Sequence, residues 1–249
     1  MNVAIAGLPL SGKTCLFDAL SEGAVDSAAD PARPDRPNAA AVAVPDERLD
    51  WLHAHYETPK KVPVHLQWLD LPGLAPGRSD LESQNTQVLE HLHRADALVY
   101  VLRAFESETV PGRVDPEADA ATLAGEFLLA DLAVVERRIE KVEAQMAKPV
   151  PNRDALAAER DFLDRCRQAL EAQQPLQGVP ETETERNILR NFAALTLKPT
   201  VTVLNVDEGD AGRPDAVAAA HPDLPPPVFG VCASLEAEIR GLPPQEQAA

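Results

Sequence analysis

Short apolar runs alternate with segments of helical spacing along most of the chain. Asn2–Ala6 is an apolar run of strand length, and Lys13–Ser21 carries an apolar face at helical period. Ala39–Val44 and Val64–Leu69 read as strands, Thr86–Ala95 as a helix, and Ala97–Leu102 (ALVYVL) as a strand buried on both faces. Two more apolar strands follow at Thr200–Leu204 and Val228–Val231. Such alternation predicts an α/β fold, a mostly parallel sheet with helices on both faces. Ala28–Asn38 (AADPARPDRPN) is rich in Pro, Asp and Arg and reads as a mobile loop.

In the middle of the chain the period changes. Leu128, Leu132, Val135, Ile139, Val142 and Met146 are spaced 4, 3, 4, 3 and 4 residues apart, which is a heptad seam. Lys148-Pro-Val-Pro-Asn152 stops that helix, because proline cannot continue it. A second helix places Leu156, Leu163, Cys166 and Leu170 on one face. The short connection makes the two antiparallel neighbours, so Asp119–Ala172 reads as a helical hairpin whose seam is core packing. A helix near Glu181–Ala194 returns the chain to the sheet. The expected organisation is a sheet domain from residues 1–117 and 196–240, interrupted by a hairpin at 118–195. Residues 241–249 read as the start of a further region, with Leu242–Ala249 (LPPQEQAA) opening like a helix.

Composition narrows the class. No apolar run nears the ~20 residues of a membrane helix, and no basic leader precedes the first strand. Cys15, Cys166 and Cys232 are spaced for neither a disulfide framework nor a metal site, which suits a reducing cytoplasm. The formal net charge of −17 opposes broad contact with DNA or an anionic membrane. Of the six histidines, those at 53, 55, 91, 93 and 221 show no ligand spacing with the cysteines. Arg137, Arg138, Lys141, Lys148 and Arg153 gather toward the hairpin tip, but Glu136, Glu140 and Glu143 interleave with them, as on a solvated helix face.

The chemistry sits at strand ends. Gly7–Thr14 (GLPLSGKT) matches G-x-x-x-x-G-K-S/T, between a strand ending at Ala6 and a helix starting at Lys13. The glycines let successive amides, those of Leu10, Ser11, Gly12 and Cys15 included, converge on a phosphate at a helix N-terminus. Lys13 reaches the β- and γ-phosphates, and the Thr14 hydroxyl is a ligand for Mg²⁺. Cys15 itself reads as a packed, inert thiol. Asp70-Leu-Pro-Gly73 closes another strand; its aspartate can hold Mg²⁺ through water and the Gly73 amide can approach the γ-phosphate. Asn205-Val206-Asp207-Glu208 ends a third strand, where GTPases carry N-K-x-D to read guanine. Here Val206 replaces the lysine and the longer Glu208 replaces the aspartate, which favours ATP over GTP. Cys232-Ala233-Ser234, after the last strand, takes the place of the loop lining the base pocket.

These residues resemble the Obg-like ATPases of YchF type over nearly the whole chain. Besides the phosphate loop, the resemblance includes VPDERLD (Val44–Asp50), DLPGL (Asp70–Leu74), VDPEAD (Val114–Asp119), LADLAVVERRIEKV (Leu129–Val142), LKP (Leu197–Pro199), NVDE (Asn205–Glu208) and CASLEAEI (Cys232–Ile239). It implies a P-loop domain interrupted by a helical hairpin and followed by a TGS-type domain. It further implies slow ATP hydrolysis and association with the ribosome, ribosomal RNA or stress responses. The departures bear on catalysis. The glycine-rich second switch is replaced by Asp80–Asn85, and the first-switch threonine aligns with Pro34, which has no hydroxyl. The TGS-type domain is absent from these 249 residues. Leu74 stands where Ras-type GTPases place a water-orienting glutamine, and Arg33 and Arg36 are the nearest candidates for an arginine finger. No residue is assigned as catalytic, with Lys13 and Gly73 assisting. The expected function is slow, Mg²⁺-dependent ATP hydrolysis coupled to a partner; a GTPase and a non-hydrolysing nucleotide sensor stay open beside it.

Overall fold

The computed structural model describes residues 1–21, 37–107, 112–149, 151–242 and 246–247. Fourteen elements follow in order: β1 (Asn2–Ala6), α1 (Lys13–Ser21), β2 (Asn38–Ala43), α2 (Glu47–Tyr56), β3 (His65–Asp70), α3 (Glu82–Arg94), β4 (Ala97–Ala104), α4 (Pro116–Met146), α5 (Arg153–Glu171), α6 (Glu183–Phe192), β5 (Thr200–Val206), α7 (Pro214–Ala219), β6 (Val228–Val231) and α8 (Ala233–Arg240). The six strands form one sheet in the order β2-β3-β1-β4-β5-β6. All neighbours are parallel except β2, which pairs antiparallel with β3 from Asn38↔Asp70 to Ala43↔His65. The carboxyl ends of β1, β3, β4, β5 and β6 therefore open on one edge.

Each face of the sheet has its own core. On one, Val3, Ile5, Val99, Val101 and Val203 meet Leu16 and Phe17 of α1 and Ala233 of α8. On the other, Ala4, Leu98, Tyr100, Leu102 and Leu204 meet Val88 and Leu92 of α3 and Ala120, Leu123 and Phe127 of α4. Alternate residues of β4 thus serve opposite cores, which is why it reads as an unbroken apolar run.

α4 joins this domain to the hairpin. Asp115 caps it, accepting from the Ala118 amide at 3.1 Å, with Pro116 in the first turn. Its early turns lie on the sheet, while Val135, Ile139 and Val142 pack on Leu156, Leu163, Cys166 and Leu170 of α5. Asp131 marks the junction. Only 1% exposed, it accepts from the Leu195 amide at 2.8 Å, the Thr196 amide at 2.9 Å and the Thr196 hydroxyl at 2.7 Å. That carboxylate fastens the hairpin's return to its outgoing helix.

Several boundaries and one element differ from expectation. α3 starts at Glu82, so most of the stretch aligned with a second switch is helical, preceded by a single 3₁₀ turn at Ser79–Leu81. α2 was not expected: none of its residues is buried, and Trp51, Leu52 and Tyr56 stand exposed, so no buried stripe marks it. Cys232–Ser234, expected as a loop, instead opens α8, with Cys232 at the N-cap position. α8 ends at Arg240, and most of Leu242–Ala249, expected to open a helix, lies outside the described residues. Pro34, Arg33, Arg36 and most of the expected mobile loop lie outside the described residues. Of the charges expected toward the hairpin tip, Arg138 of α4 pairs with Glu159 of α5 at 2.6 Å, and Glu143 of α4 with Arg160 of α5 at 3.1 Å.

Candidate functional site

The loop from Gly7 to Thr14 curls between β1 and α1 as its glycines require. Gly12 has φ +93°, and a Cβ there would meet Asn205 Nδ2 at 2.0 Å. Leu10 also lies in the left-handed region, at φ +63°, and is exposed. A leucine there is strained, which a loop shaped for a ligand tolerates. Gly73 packs against the same loop. A Cβ on it would come within 2.5 Å of Pro9 N, and the next amide, Leu74 N–H, donates to Gly7 O at 3.1 Å.

Lys13 and Asp70 are two buried charges without full partners. Lys13 is 6% exposed and donates to Leu8 O at 2.7 Å. Burial lowers its pKa from 10.5 to about 8, against the opposing pull of Asp70. Asp70 is 4% exposed. Its Oδ2 accepts from the Thr14 hydroxyl at 3.1 Å and from Asn38 Nδ2 at 3.4 Å, while Oδ1 has no hydrogen-bond partner among the described residues. Burial raises its pKa, opposed by the Thr14 bond, the Lys13 charge and the Asn38 bond. Ser11 Oγ, in the phosphate loop, is likewise buried and unpaired. Buried orphans of this kind are rare and costly, so a polar ligand is the economical explanation.

Asn205 braces the loop from behind. Its amide nitrogen donates to Ser11 O at 3.1 Å, and its oxygen accepts from the Ala233 amide at 3.0 Å. The Ala233 amide is thus spent on Asn205, and Cys232 is buried beside it. Of the three residues expected at the base pocket, Ser234 alone lines the cavity beside the loop. That cavity, about 530 Å³, is also walled by Gly12, Asn205, Val206, Glu208 and Phe105. It adjoins a second of about 480 Å³, walled by Leu10, Lys13, Thr14, Leu71 and Gly73. Gly12, Cys15, Phe105 and Ser107 border both, so the two cavities form one trough along the phosphate loop.

Two features escaped the sequence reading. Phe105, Glu106 and Ser107 follow β4 and wall the trough; the rule that ligands gather at strand carboxyl ends applies to β4 as much as to β3 and β5. Cys15 is not packed away but exposed on the trough's border, its thiol pushed above the usual range by partial burial and then by Asp18. A further cavity of about 400 Å³ lies at the opposite end of the sheet, between Asp96, Leu189 and Lys198. Its lysine is committed to the end of α3, donating to His93 O at 3.0 Å and Ala95 O at 2.5 Å.

Comparison with known proteins bears on this trough. Residues 2–148 match the model of the 50S ribosome-binding GTPase family. The chain is 34% identical to the ribosome-binding ATPase YchF of Bacillus subtilis over 258 aligned positions, covering 99% of this chain and 69% of that protein. The chain belongs to the YchF family of Obg-like ATPases. It is also 33% identical to the Obg-like ATPase 1 of Caenorhabditis elegans, over 84% of this chain and 53% of that protein. Among solved structures, the Schizosaccharomyces pombe YchF GTPase superposes with a TM-score of 0.79 at 27% identity, over 100% of this chain and 69% of that one. The fold of this YchF-family chain is thereby a P-loop NTPase sheet carrying a helical hairpin. Among its described residues no helix is long and apolar enough to cross a membrane.

Proposed function

We propose that this YchF-family chain binds ATP with Mg²⁺ in the trough and hydrolyses it slowly, signalling nucleotide state to the ribosome in the cytoplasm. The observation that carries the reading is that Lys13 and Asp70 are both buried at the phosphate loop, where Ser11 Oγ and Asp70 Oδ1 have no hydrogen-bond partner among the described residues. Residues 1–117 and 196–240 form the nucleotide-binding unit, and the hairpin at 118–195 faces the partner. Lys13, with the amides of Leu10, Ser11, Gly12 and Cys15, holds phosphate. Thr14 Oγ1 and the free oxygen of Asp70 are hard donors that suit Mg²⁺, which would neutralise charge on the β- and γ-phosphates. Asn205 fixes the loop, while Val206, Glu208 and Ser234 border the base.

Relatives carry both ATPase and GTPase in their names, so the base is the point to test. Glu208 lies in a 3₁₀ turn after β5, exposed on the trough. A carboxylate one methylene longer than aspartate does not sit where the guanine edge needs it. Loss of such a paired contact costs about 1–3 kcal/mol, or roughly 5- to 150-fold. The expected result is tighter binding of ATP than of GTP at equal Mg²⁺.

Slow turnover follows from Leu74. It is 1% exposed, packed in the core, and cannot orient water. Asn85, in the segment aligned with the second switch, is engaged with Ala75, donating to its oxygen at 2.9 Å and accepting from its amide at 3.1 Å. Single-turnover hydrolysis on the order of 10⁻⁴–10⁻² s⁻¹ is expected, the range of unassisted NTPases. One titration series and one quenched time course test both points. A tenfold preference for GTP overturns the base assignment, and a rate above about 1 s⁻¹ overturns the account of the missing water-positioning group.

A further inference from the structure

A second carboxylate stands beside the phosphate loop without a role in the reading above. Asp18 lies four residues after Thr14 on α1, one turn along the same face of the helix. α1 packs against β3, whose last residue is Asp70. Asp18 Oδ1 is shielded from solvent and has no hydrogen-bond partner among the described residues, as is also true of Asp70 Oδ1. The two carboxylates lie within electrostatic reach, since the Asp18 charge adds to the upward push on Asp70. The buried cation of this region, Lys13, donates to Leu8 O and bears on Asp70. So Asp70, 4% exposed, and Asp18 each carry a shielded oxygen without a hydrogen-bond partner among the described residues.

Two carboxylates within electrostatic reach repel each other and invite positive charge. Mg²⁺ keeps several of its waters when it binds protein, and those waters are strong donors. We propose that Asp18 is a positioning residue of the metal–triphosphate site, accepting from a water of the bound Mg²⁺ and reinforcing Asp70 from one helical turn away. This inference rests on the Mg²⁺–ATP reading. It adds to that reading a residue which the phosphate-loop motif does not include. Partners outside the first shell commonly set metal affinity by a factor of ten or more. An asparagine at position 18 keeps the size and one oxygen acceptor but removes the charge.

The test uses the full chain with Mn²⁺ as the spectroscopic metal. Electron paramagnetic resonance of free Mn²⁺ gives its affinity for the protein–ATP complex in wild type, Asp18→Asn and Asp70→Asn. Asp18→Asn should weaken Mn²⁺ on the order of tenfold. ATP affinity in EDTA should stay the same or tighten, and the nucleotide-free protein should melt no lower than wild type. Mn²⁺ affinity within twofold of wild type in Asp18→Asn, with Asp70→Asn weakened, overturns the role of Asp18 and leaves the site intact. If neither variant changes Mn²⁺ affinity, the metal–nucleotide reading itself fails. A lower melting temperature together with lost ATP binding in EDTA makes Asp18 structural and also overturns the proposal. Should Asp18→Asn not fold, Asp18→Ser removes the same charge with less volume and is judged by the same outcomes.

Discussion

The two ends of α4 lie in opposite regimes. Near its start, the carboxyl edge of the sheet buries Lys13 and Asp70, leaves Ser11 Oγ and Asp70 Oδ1 without partners among the described residues, and holds Leu10 at positive φ. Beyond Asp131, the hairpin core is apolar, and its charges pair along the rim, Arg138 with Glu159 and Arg160 with Glu143 and Asp164. Even the hairpin's unsatisfied atoms, Asp164 Oδ1 and Arg167 Nε, belong to side chains that form an ion pair at 3.1 Å. One region is built to be stable as it stands; the other carries a polar cost that its described neighbours leave unmet. A cluster of buried polar atoms without partners among the described residues, rather than a lone one such as Gln87 Oε1, is therefore a better pointer to the site than cavity size, since a 400 Å³ cavity also occurs where Lys198 is already satisfied.

The sharpest way to break this comparison is to remove the charge at its centre. Lys13→Met should lower ATP affinity on the order of 100-fold, because a charge-assisted contact worth about 3 kcal/mol goes with the ammonium. The same variant should melt higher than wild type without nucleotide, since an apolar end replaces a buried cation that burial penalises. Calorimetry and thermal melts decide it. An unchanged ATP affinity rejects the phosphate-loop assignment, and a lower melting temperature rejects the claim of stored cost.

The hairpin should answer oppositely. Leu163 is fully buried in the seam, and Leu163→Ala should cost about 2–5 kcal/mol of stability through lost contacts and the cavity left behind. Nucleotide affinity should stay within about twofold, because the seam and the trough share no residue. Denaturant titration and an ATP titration on the same variant test both halves. A tenfold loss of ATP affinity would show that the two regions are coupled through α4.

How far the sequence carries each region differs for the same physical reason. β1, α1 and β6 have the limits their apolar runs predict, and the seam residues pack as their 3.5-residue period requires. Periodicity is legible wherever burial is one-sided and continuous. α2 fails that condition, since its apolar side chains face solvent and only a local cap, Asp46 accepting from Arg48 N–H at 3.0 Å, marks its start. In the trough the motif residues were legible because backbone geometry ties them to glycine. The Ala233 amide was not, because its engagement by Asn205 is a contact between residues 28 apart. Asp18 was invisible for another reason: nothing in its neighbours' sequence marks a carboxylate that is left without a partner.

The smallest effect, and the finest comparison, is in the pH dependence of the nucleotide-free protein. Lys13 has a folded pKa of about 8 against 10.5 when unfolded. Between those values the unfolded chain holds the extra proton, so stability must rise with pH, by at most about 1.4 kcal/mol per unit. The hairpin contributes the reverse. Burial pushes the Cys166 thiol from 9.0 up to about 12, so above pH 9 the unfolded chain loses a proton that the folded one keeps. Stability from Cys166 must therefore fall as pH rises through that window. The two contributions leave pH 8 to 9 to Lys13 alone of this pair. Over that interval the melting temperature of wild type should gain on that of Lys13→Met, narrowing the advantage the variant holds at pH 7.5. Above pH 9, Cys166→Ala should remove a downward slope from both backgrounds equally. A gap between wild type and Lys13→Met that stays constant from pH 7.5 to 9 would mean that Lys13 is not penalised by burial. The orphaned polar groups around it would then need another explanation than a waiting phosphate.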